Sequence, residues 1–465
     1  MSKTKIIATL GPASMSKGKI SSLIKAGADI FRINMSHEDE KGAIEVVKTI
    51  RGLGGGIAVL LDLQGPRIRT GKLKNGPVLI KDGGEFIITS KQIEGDETRV
   101  STDYAALPEK LKPGQKILVD NGLIDLRVKN IAGTEIYCTV HTGGMLGEHK
   151  GINIPGVSIF KKALTEKDRE DIKVAVTVEA DYVALSFVKG QADILEAKKC
   201  IRDNGGNIPV IAKVENSEAI RNIDEIINIS DAVMIARGDM GVELPPEEVP
   251  VVQKEIIRKC AKAAKPVIVA SQMLESMVSS PRPTRAESSD VANAILDGAD
   301  AVMLSEETAS GQYPEESVRI MDRIAVRMEG SGPRRAHIHK KDVMGNISLA
   351  VSHATVHTCE DIEAKAIITF TTSGSTALMI SKWRPNVPII ASVTGEKAAR
   401  RVSLYWGVKP VIIGACKTTD EMIGFVEKAV VEKKLLKKGD LVVITAGVPI
   451  GVPGTTNLIK VHRIG

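Results

Sequence analysis

The sequence predicts an α/β protein: a TIM-type (β/α)8 barrel, interrupted by a small inserted β-barrel unit and followed by an open α/β domain. Three observations predict it. Short apolar runs of strand length recur eight times, set apart by stretches of helical periodicity. The third and fourth runs are parted by residues 64–181, far more than a crossover helix needs. Strand and helix patterns resume beyond the charged stretch Gly330–Asp342.

The eight runs are Lys5–Leu10, Ala28–Asn34, Ile57–Leu63, Tyr182–Phe187, Val210–Val214, Ala232–Ala236, Val267–Ala270 and Ala301–Leu304. Parallel strands need helical crossovers, and eight such units close into a barrel whose chemistry lies at the strands' carboxyl ends. Aromatic residues make up only 3% of the chain, so the core is aliphatic, as a buried parallel sheet requires. Within the interruption, Glu85–Thr89, Lys116–Val119, Ile124–Val128 and Glu135–Val140 alternate between turn residues, which predicts the β unit at 67–157. The barrel then takes 1–66 and 158–342. Ala366–Phe370, Pro388–Ala391, Pro410–Ile413 and Asp440–Thr445 predict the sheet of a third domain at 343–465.

Composition excludes several classes. At 465 residues the chain exceeds the span of a single core, about 250–300 residues. Hydrophobic residues at 43% and charged residues at 26% fit neither a disordered nor a membrane protein. The net charge of +6 is scattered among acids, so nucleic acid is not indicated. The five cysteines are spread widely without a CxxC pair, against a disulfide framework or structural zinc. With no apolar run of membrane length and no secretory layout at the first residues, the expected location is the cytoplasm.

Polar residues cluster at the strand ends. After the fifth strand, IAKVEN sets Lys213 and Glu215 two residues apart and therefore on one face. After the sixth, ARGDMGVELP sets Asp239 beside Gly238, ahead of a helix, where carboxylate and backbone N–H groups converge. Glu215 and Asp239 suit a hard cation such as Mg²⁺, with Mn²⁺ as a substitute, although a structural salt bridge accounts for any single pair equally well. The second strand ends in FRINMSHE, with Arg32, Asn34, Ser36 and His37; the third ends in LLDLQGPRIRTG, with Asp62, Leu63, Arg67 and Arg69. Arginines at strand ends suit bidentate phosphate binding, whereas an isolated rim histidine is more often a hydrogen-bonding residue than a catalyst. ASQMLESM and MLSEETASG place Ser271, Ser305 and Glu306 on the same rim. A lysine, two acids and arginines around one mouth point to phosphoryl transfer, whose catalysis is chiefly positioning and charge neutralisation. No Walker loop or protein-kinase motif is present.

TLGPAS, FRINMSH, GPRIRTG, KGINIPG, IAKVEN, ARGDMGVELP, QMLESM and PTRAESSDVANAILDGADAVMLSEETASGQYP, in this order, resemble the motifs of the pyruvate kinase family. The resemblance implies transfer of a phosphoryl group from phosphoenolpyruvate to ADP, giving pyruvate and ATP. It implies that Lys213 stabilises the transferring group, that Glu215 and Asp239 hold the divalent cation, and that Arg32 binds phosphate. Ser271 would lie by the enolate, and the backbone at Gly238 and Asp239 would receive the substrate carboxylate. Asn34, His37, Arg69 and Lys150 would face the nucleotide, and the inserted unit would act as a lid. The family's monovalent-cation cage falls on Asn34, Ser36, Asp62 and Leu63.

Some positions depart from the family pattern. Where many members read LDTKGPEIRTG, Arg67 replaces an acid, and its permanent charge can stand in for bound K⁺, so K⁺ is expected not to be required. Ser271 replaces a threonine, Asp120-Asn121 a pair of acids, and Glu306 a glycine. The family's optional N-terminal segment and extra phosphotransfer domain are expected to be absent. In the third domain Thr371, Thr372, Ser373, Gly374, Ser375 and Thr376 follow a strand and open a helix, a geometry that cradles phosphate, although a Ser/Thr N-cap also explains them. The resemblance implies an allosteric phosphorylated effector there, with PIGVPGTTN (Pro449–Asn457) as a second loop, and a homotetramer. A Mg²⁺-dependent aldolase or lyase, and a catalytically silent metabolite-binding protein, are the alternatives.

Overall fold

The computed structural model describes residues 2–54, 56–157, 159–160, 162–331, 346–416, 418–448 and 456–465. Most of the charged junction and of the second Gly-rich loop lies outside the described residues. Eight parallel strands close a barrel: Lys5–Leu10, Ile30–Asn34, Ala58–Asp62, Tyr182–Leu185, Val210–Val214, Ala232–Ala236, Val267–Ala270 and Ala301–Leu304. The eighth joins the first in parallel register, from Lys5 opposite Ala301 to Ala8 opposite Leu304.

The second, third and fourth strands are shorter than expected. Ala28 still caps the helix Lys17–Ala26, its N–H reaching Leu23 O at 3.0 Å beyond Gly27 (φ 121°). At the other end Phe187 turns out of the strand with φ 54° and donates its N–H to Glu215 Oε2 at 2.7 Å. The β-strand period of two then sorts the side chains. Ile7, Ile30, Leu60, Tyr182, Ile211, Met234, Ile268 and Met303 share one buried cluster inside the barrel. Their neighbours Ile6, Phe31, Val59, Val183, Ala212, Val233, Val269 and Val302 belong to the cluster beneath the helices. Continuing the inward column from Ile211 brings Lys213 and Glu215 to the carboxyl mouth; Ile30 leads to Arg32, and Leu60 to Asp62.

The inserted unit has its own apolar core around Phe86, Ile88, Leu126 and Ile136. Its strands form one seven-stranded sheet and one two-stranded sheet. Ile124–Ala132 and Glu135–Thr142 run longer than expected, and five shorter strands join them: Ile68–Arg69, Val78–Ile80, Arg99–Ser101, Gly144–Leu146 and Gly151–Asn153. Runs of two or three residues are too short to show alternation.

The third domain carries a five-stranded sheet in the order Val408–Ile412, Ile389–Val393, Ala366–Phe370, Leu441–Gly447, Thr456–Arg463. The last strand is antiparallel to its neighbour and was not foreseen, because this largely exposed edge strand carries no continuous apolar run. This domain closes the amino mouth of the barrel: Leu404 joins the barrel's inner cluster, and Tyr182 Oη donates to Arg401 O at 2.6 Å. Two buried acids at the strand starts fix the contact. Asp181 pairs with Arg51 at 2.8 Å and with Arg400 at 2.8 Å. Asp300 pairs with Lys382 at 2.7 Å and with Arg384 at 3.1 Å. Lys382 is 1% exposed, so removing its partner strands a buried cation. Asp300→Ala is therefore expected to destabilise the protein by about 3–5 kcal/mol, read as a lower midpoint in denaturant unfolding.

Candidate active site

At the carboxyl mouth the side chains interlock. The Lys213 ammonium donates to Ser186 Oγ at 2.7 Å and lies 3.2 Å from Asp62 Oδ1 and 3.0 Å from Glu215 Oε1. Arg32 Nε donates to Asp62 Oδ2 at 2.7 Å, and its Nη1 to Thr9 Oγ1 at 3.1 Å. Ser186 Oγ in turn donates to Leu63 O at 2.7 Å. Two cations thus share the Asp62 carboxylate, and two carboxylates share the Lys213 ammonium.

Burial alone would discharge these groups, but at Asp62 and Lys213 the partners prevail. Burial raises the Asp62 carboxyl, yet Lys213 and Arg32 outweigh it and hold it below its ordinary value. Burial lowers the Lys213 ammonium, yet Asp62 and Glu215 outweigh it and hold it above its ordinary value. Glu215 goes the other way: burial, aided by the like charge of Asp239, holds its carboxyl above the usual range against the pull of Lys213.

The segment after the third strand reaches across the mouth. Gly65 has φ 68°, and a Cβ there would come within 2.9 Å of both Ser186 and Phe187, so glycine alone allows the approach. Arg67 consequently lies over the Phe187 ring, 5.5 Å from its centroid, and pairs with Asp239 at 3.2 Å. The helix Arg237–Glu243 begins before Asp239 rather than after it, which corrects the expected position. Gly238 and Asp239 lie in its first turn, where backbone N–H groups have no intrahelical partner.

The barrel mouth and the inserted unit enclose a cleft of about 510 Å³. Arg32, Asn34, Ser36, His37, Leu63, Arg67, Arg69, Lys150, Lys213 and Asp239 all line it, as do Ser186 and Phe187. Lys150 comes from the inserted unit and pairs with Asp120 at 3.1 Å. Asp62 and Glu215 are 1% exposed and stand behind Lys213. Gly238 and Ser271 are not among the lining residues but lie against each other, a Cβ on Gly238 falling 3.4 Å from Ser271 Cβ.

Thr371–Thr376 sit elsewhere, at the end of the strand Ala366–Phe370. The helix that follows has Gly374 in the left-handed region (φ 92°) at its N-cap, in place of a Ser or Thr. Thr371 Oγ1 accepts from Gly374 N at 2.8 Å, and Thr376 contacts Thr456 at 2.9 Å, while Thr372 and Ser373 face outward. Sequence patterns did not single out Ser186, Phe187 or Thr9. Parity of the fourth strand, which puts Ser186 in line with Tyr182 and Ala184, was the available signal.

Residues 1–318 match the family model for the pyruvate kinase barrel domain, and residues 349–462 that for the pyruvate kinase alpha/beta domain. The chain belongs to the pyruvate kinase family. Curated pyruvate kinases of Staphylococcus aureus (strain MRSA252) and Staphylococcus haemolyticus are each 45% identical to it, over 100% of this chain and 81% of theirs. A crystal structure of a pyruvate kinase from Cryptosporidium parvum superposes with a TM-score of 0.92 at 35% identity, covering 100% of this chain and 96% of that one. The chain is thus an enzyme of the pyruvate kinase type, which sets aside the lyase and silent-binding alternatives.

Proposed function

We propose that this pyruvate kinase is Mg²⁺-dependent, works without K⁺, and carries out phosphoryl transfer at the Lys213 mouth. The observation that carries the reading is the ammonium of Lys213, held charged between Asp62 and Glu215 beside Arg32 on the wall of the cleft. In the proposed cycle Arg32 and Lys213 hold the phosphate of phosphoenolpyruvate. The backbone at Gly238 and Asp239 receives its carboxylate, and Ser271 lies by the enolate that takes up a proton. Asn34, His37, Arg69 and Lys150 face ADP, and the inserted unit, residues 67–157, closes as a lid that keeps water from the reacting groups. The barrel is assigned 1–66 and 158–342, and the effector and interface domain 343–465.

The residues fit a divalent cation. Glu215 Oε1 is buried in an ion pair with Lys213 at 3.0 Å and has no further partner, and Asp239 offers a second carboxylate on the cleft. Two carboxylates with substrate oxygens completing the shell make a donor set suited to Mg²⁺, or to Mn²⁺ in its place. When bound, the cation neutralises charge on the phosphates. Chelation with EDTA is expected to abolish pyruvate formation and added Mg²⁺ to restore it, whereas Glu215→Gln is expected to raise the Mg²⁺ concentration for half-maximal rate at least tenfold. Full turnover in EDTA would sink the metal assignment.

K⁺ independence is supported by partners already in place. Asn34 Oδ1 accepts from Ser36 N at 3.1 Å, Leu63 O accepts from Ser186, and Asp62 is held by Arg32 and Lys213. Arg67 adds a permanent cation on the same cleft. The loop Thr371–Thr376 is proposed to take a phosphorylated effector such as a sugar phosphate or nucleoside monophosphate, which supports allosteric control. A homotetramer in the cytoplasm completes the proposal; no helix among the described residues is long and apolar enough to cross a membrane.

A further inference from the structure

The turn after the seventh barrel strand is strained. Ser271 (φ 71°) and Gln272 (φ 53°) are consecutive left-handed residues, and neither is glycine. Such a pair persists only where its surroundings over-determine it. Here one side chain reaches both peptide carbonyls: Arg237 Nη2 donates to Ser271 O at 2.8 Å and to Gln272 O at 3.3 Å, and lies 2.8 Å from Met273 Sδ. Its guanidinium is anchored from behind, Nη1 reaching Asp290 Oδ1 at 2.7 Å and Gln253 Oε1 at 3.4 Å. The side chain is 10% exposed, so these bonds are largely screened from water.

Arg237 also opens the helix that carries Gly238 and Asp239, and Gly238 packs directly on Ser271. One residue therefore connects the two halves of the proposed substrate site: by its backbone the part assigned to carboxylate and cation, by its guanidinium the part assigned to the enolate. We infer that Arg237, braced by Asp290, is a positioning residue that holds the strained Ser271–Gln272 turn and so aims the Ser271 hydroxyl for the proton-transfer half of the reaction. The inference rests on the proposed role of Ser271. In that half-reaction the P–O bond of phosphoenolpyruvate has already broken, and the pyruvate enolate takes one proton at its terminal carbon to become the methyl group. The reverse removes a methyl proton and, in D₂O, returns deuterium.

The test follows that exchange by proton NMR of pyruvate with the full-length enzyme, Mg²⁺ and ATP in D₂O, beside steady-state pyruvate formation. Arg237→Ala is expected to slow methyl exchange at least tenfold while the KM for phosphoenolpyruvate changes less than threefold, and millimolar guanidinium is expected to recover part of the exchange. Asp290→Asn, a milder change that keeps the arginine, is expected to slow exchange severalfold and serves if Arg237→Ala does not fold. Normal exchange in a folded Arg237→Ala or in Asp290→Asn would overturn the inference. So would a matched loss in KM and rate that guanidinium does not relieve, as would Ser271→Ala exchanging as fast as the native enzyme. If the native enzyme forms no pyruvate from phosphoenolpyruvate and ADP, the functional reading itself has failed, a result separate from these.

Discussion

Lys213→Met is expected to fold and to lose pyruvate formation by at least about a thousandfold, mostly in kcat. The ammonium lies between Asp62 and Glu215 and faces the cleft beside Arg32, which is where the proposed role, serving charge that develops as the phosphoryl group moves, needs it. Methionine keeps an unbranched side chain as far as Cε and removes the terminal cation. The variant also leaves two buried carboxylates without their shared partner, and a loss of stability should accompany the loss of rate. Its pH dependence follows from sign. The native Asp62 carboxyl is held below its ordinary value of 3.8, so its stabilising contribution is present above that value and fades as pH falls through the depressed one. Without Lys213 that contribution shrinks, and thermal melts of native and variant should differ most near neutral pH and converge on acidification. Equal kcat in the two proteins would contradict the assignment.

Arg67→Glu is expected to create a potassium requirement. The native enzyme should change rate less than twofold when K⁺ replaces tetramethylammonium at constant ionic strength. The variant should be slow without K⁺ and accelerate at least tenfold with it, because losing one preorganised donor typically costs about 10²–10³ in rate in a water-excluded site, and less at Arg67, which is 36% exposed. The geometry is specific: Gly65 lets the segment approach Ser186 and Phe187, and Arg67 settles on Phe187 within 3.2 Å of Asp239. Rates measured in both salts across a K⁺ titration check it, and a native enzyme stimulated severalfold by K⁺ would defeat the idea.

The barrel was legible because its strands are buried on both faces and therefore read as unbroken apolar runs; five of the eight keep their expected bounds. The pairing of Lys213 with Glu215 was legible too, since a spacing of two fixes a shared face. What escaped depended on partners distant in sequence. Ser186 looks like an ordinary residue until the barrel closes and brings Lys213 to 2.7 Å. Arg237 stands inside a motif whose acid draws attention, and only the fold shows its guanidinium under the next strand's turn. Asp181 and Asp300 resemble loop acids in the sequence, whereas each is fully buried against a basic residue of the third domain. Short strands such as Ile68–Arg69 and Gly151–Asn153 exist because they pair with each other, a relation no local pattern records.

The most direct measurement is pyruvate formation from phosphoenolpyruvate, coupled to lactate dehydrogenase, in Mg²⁺ and tetramethylammonium buffer free of K⁺, with and without ADP. Turnover is expected to require ADP, to proceed without K⁺ and to disappear in Lys213→Met. Absence of ADP-dependent pyruvate in both K⁺-free and K⁺-containing buffer, or undiminished turnover in Lys213→Met, would contradict it.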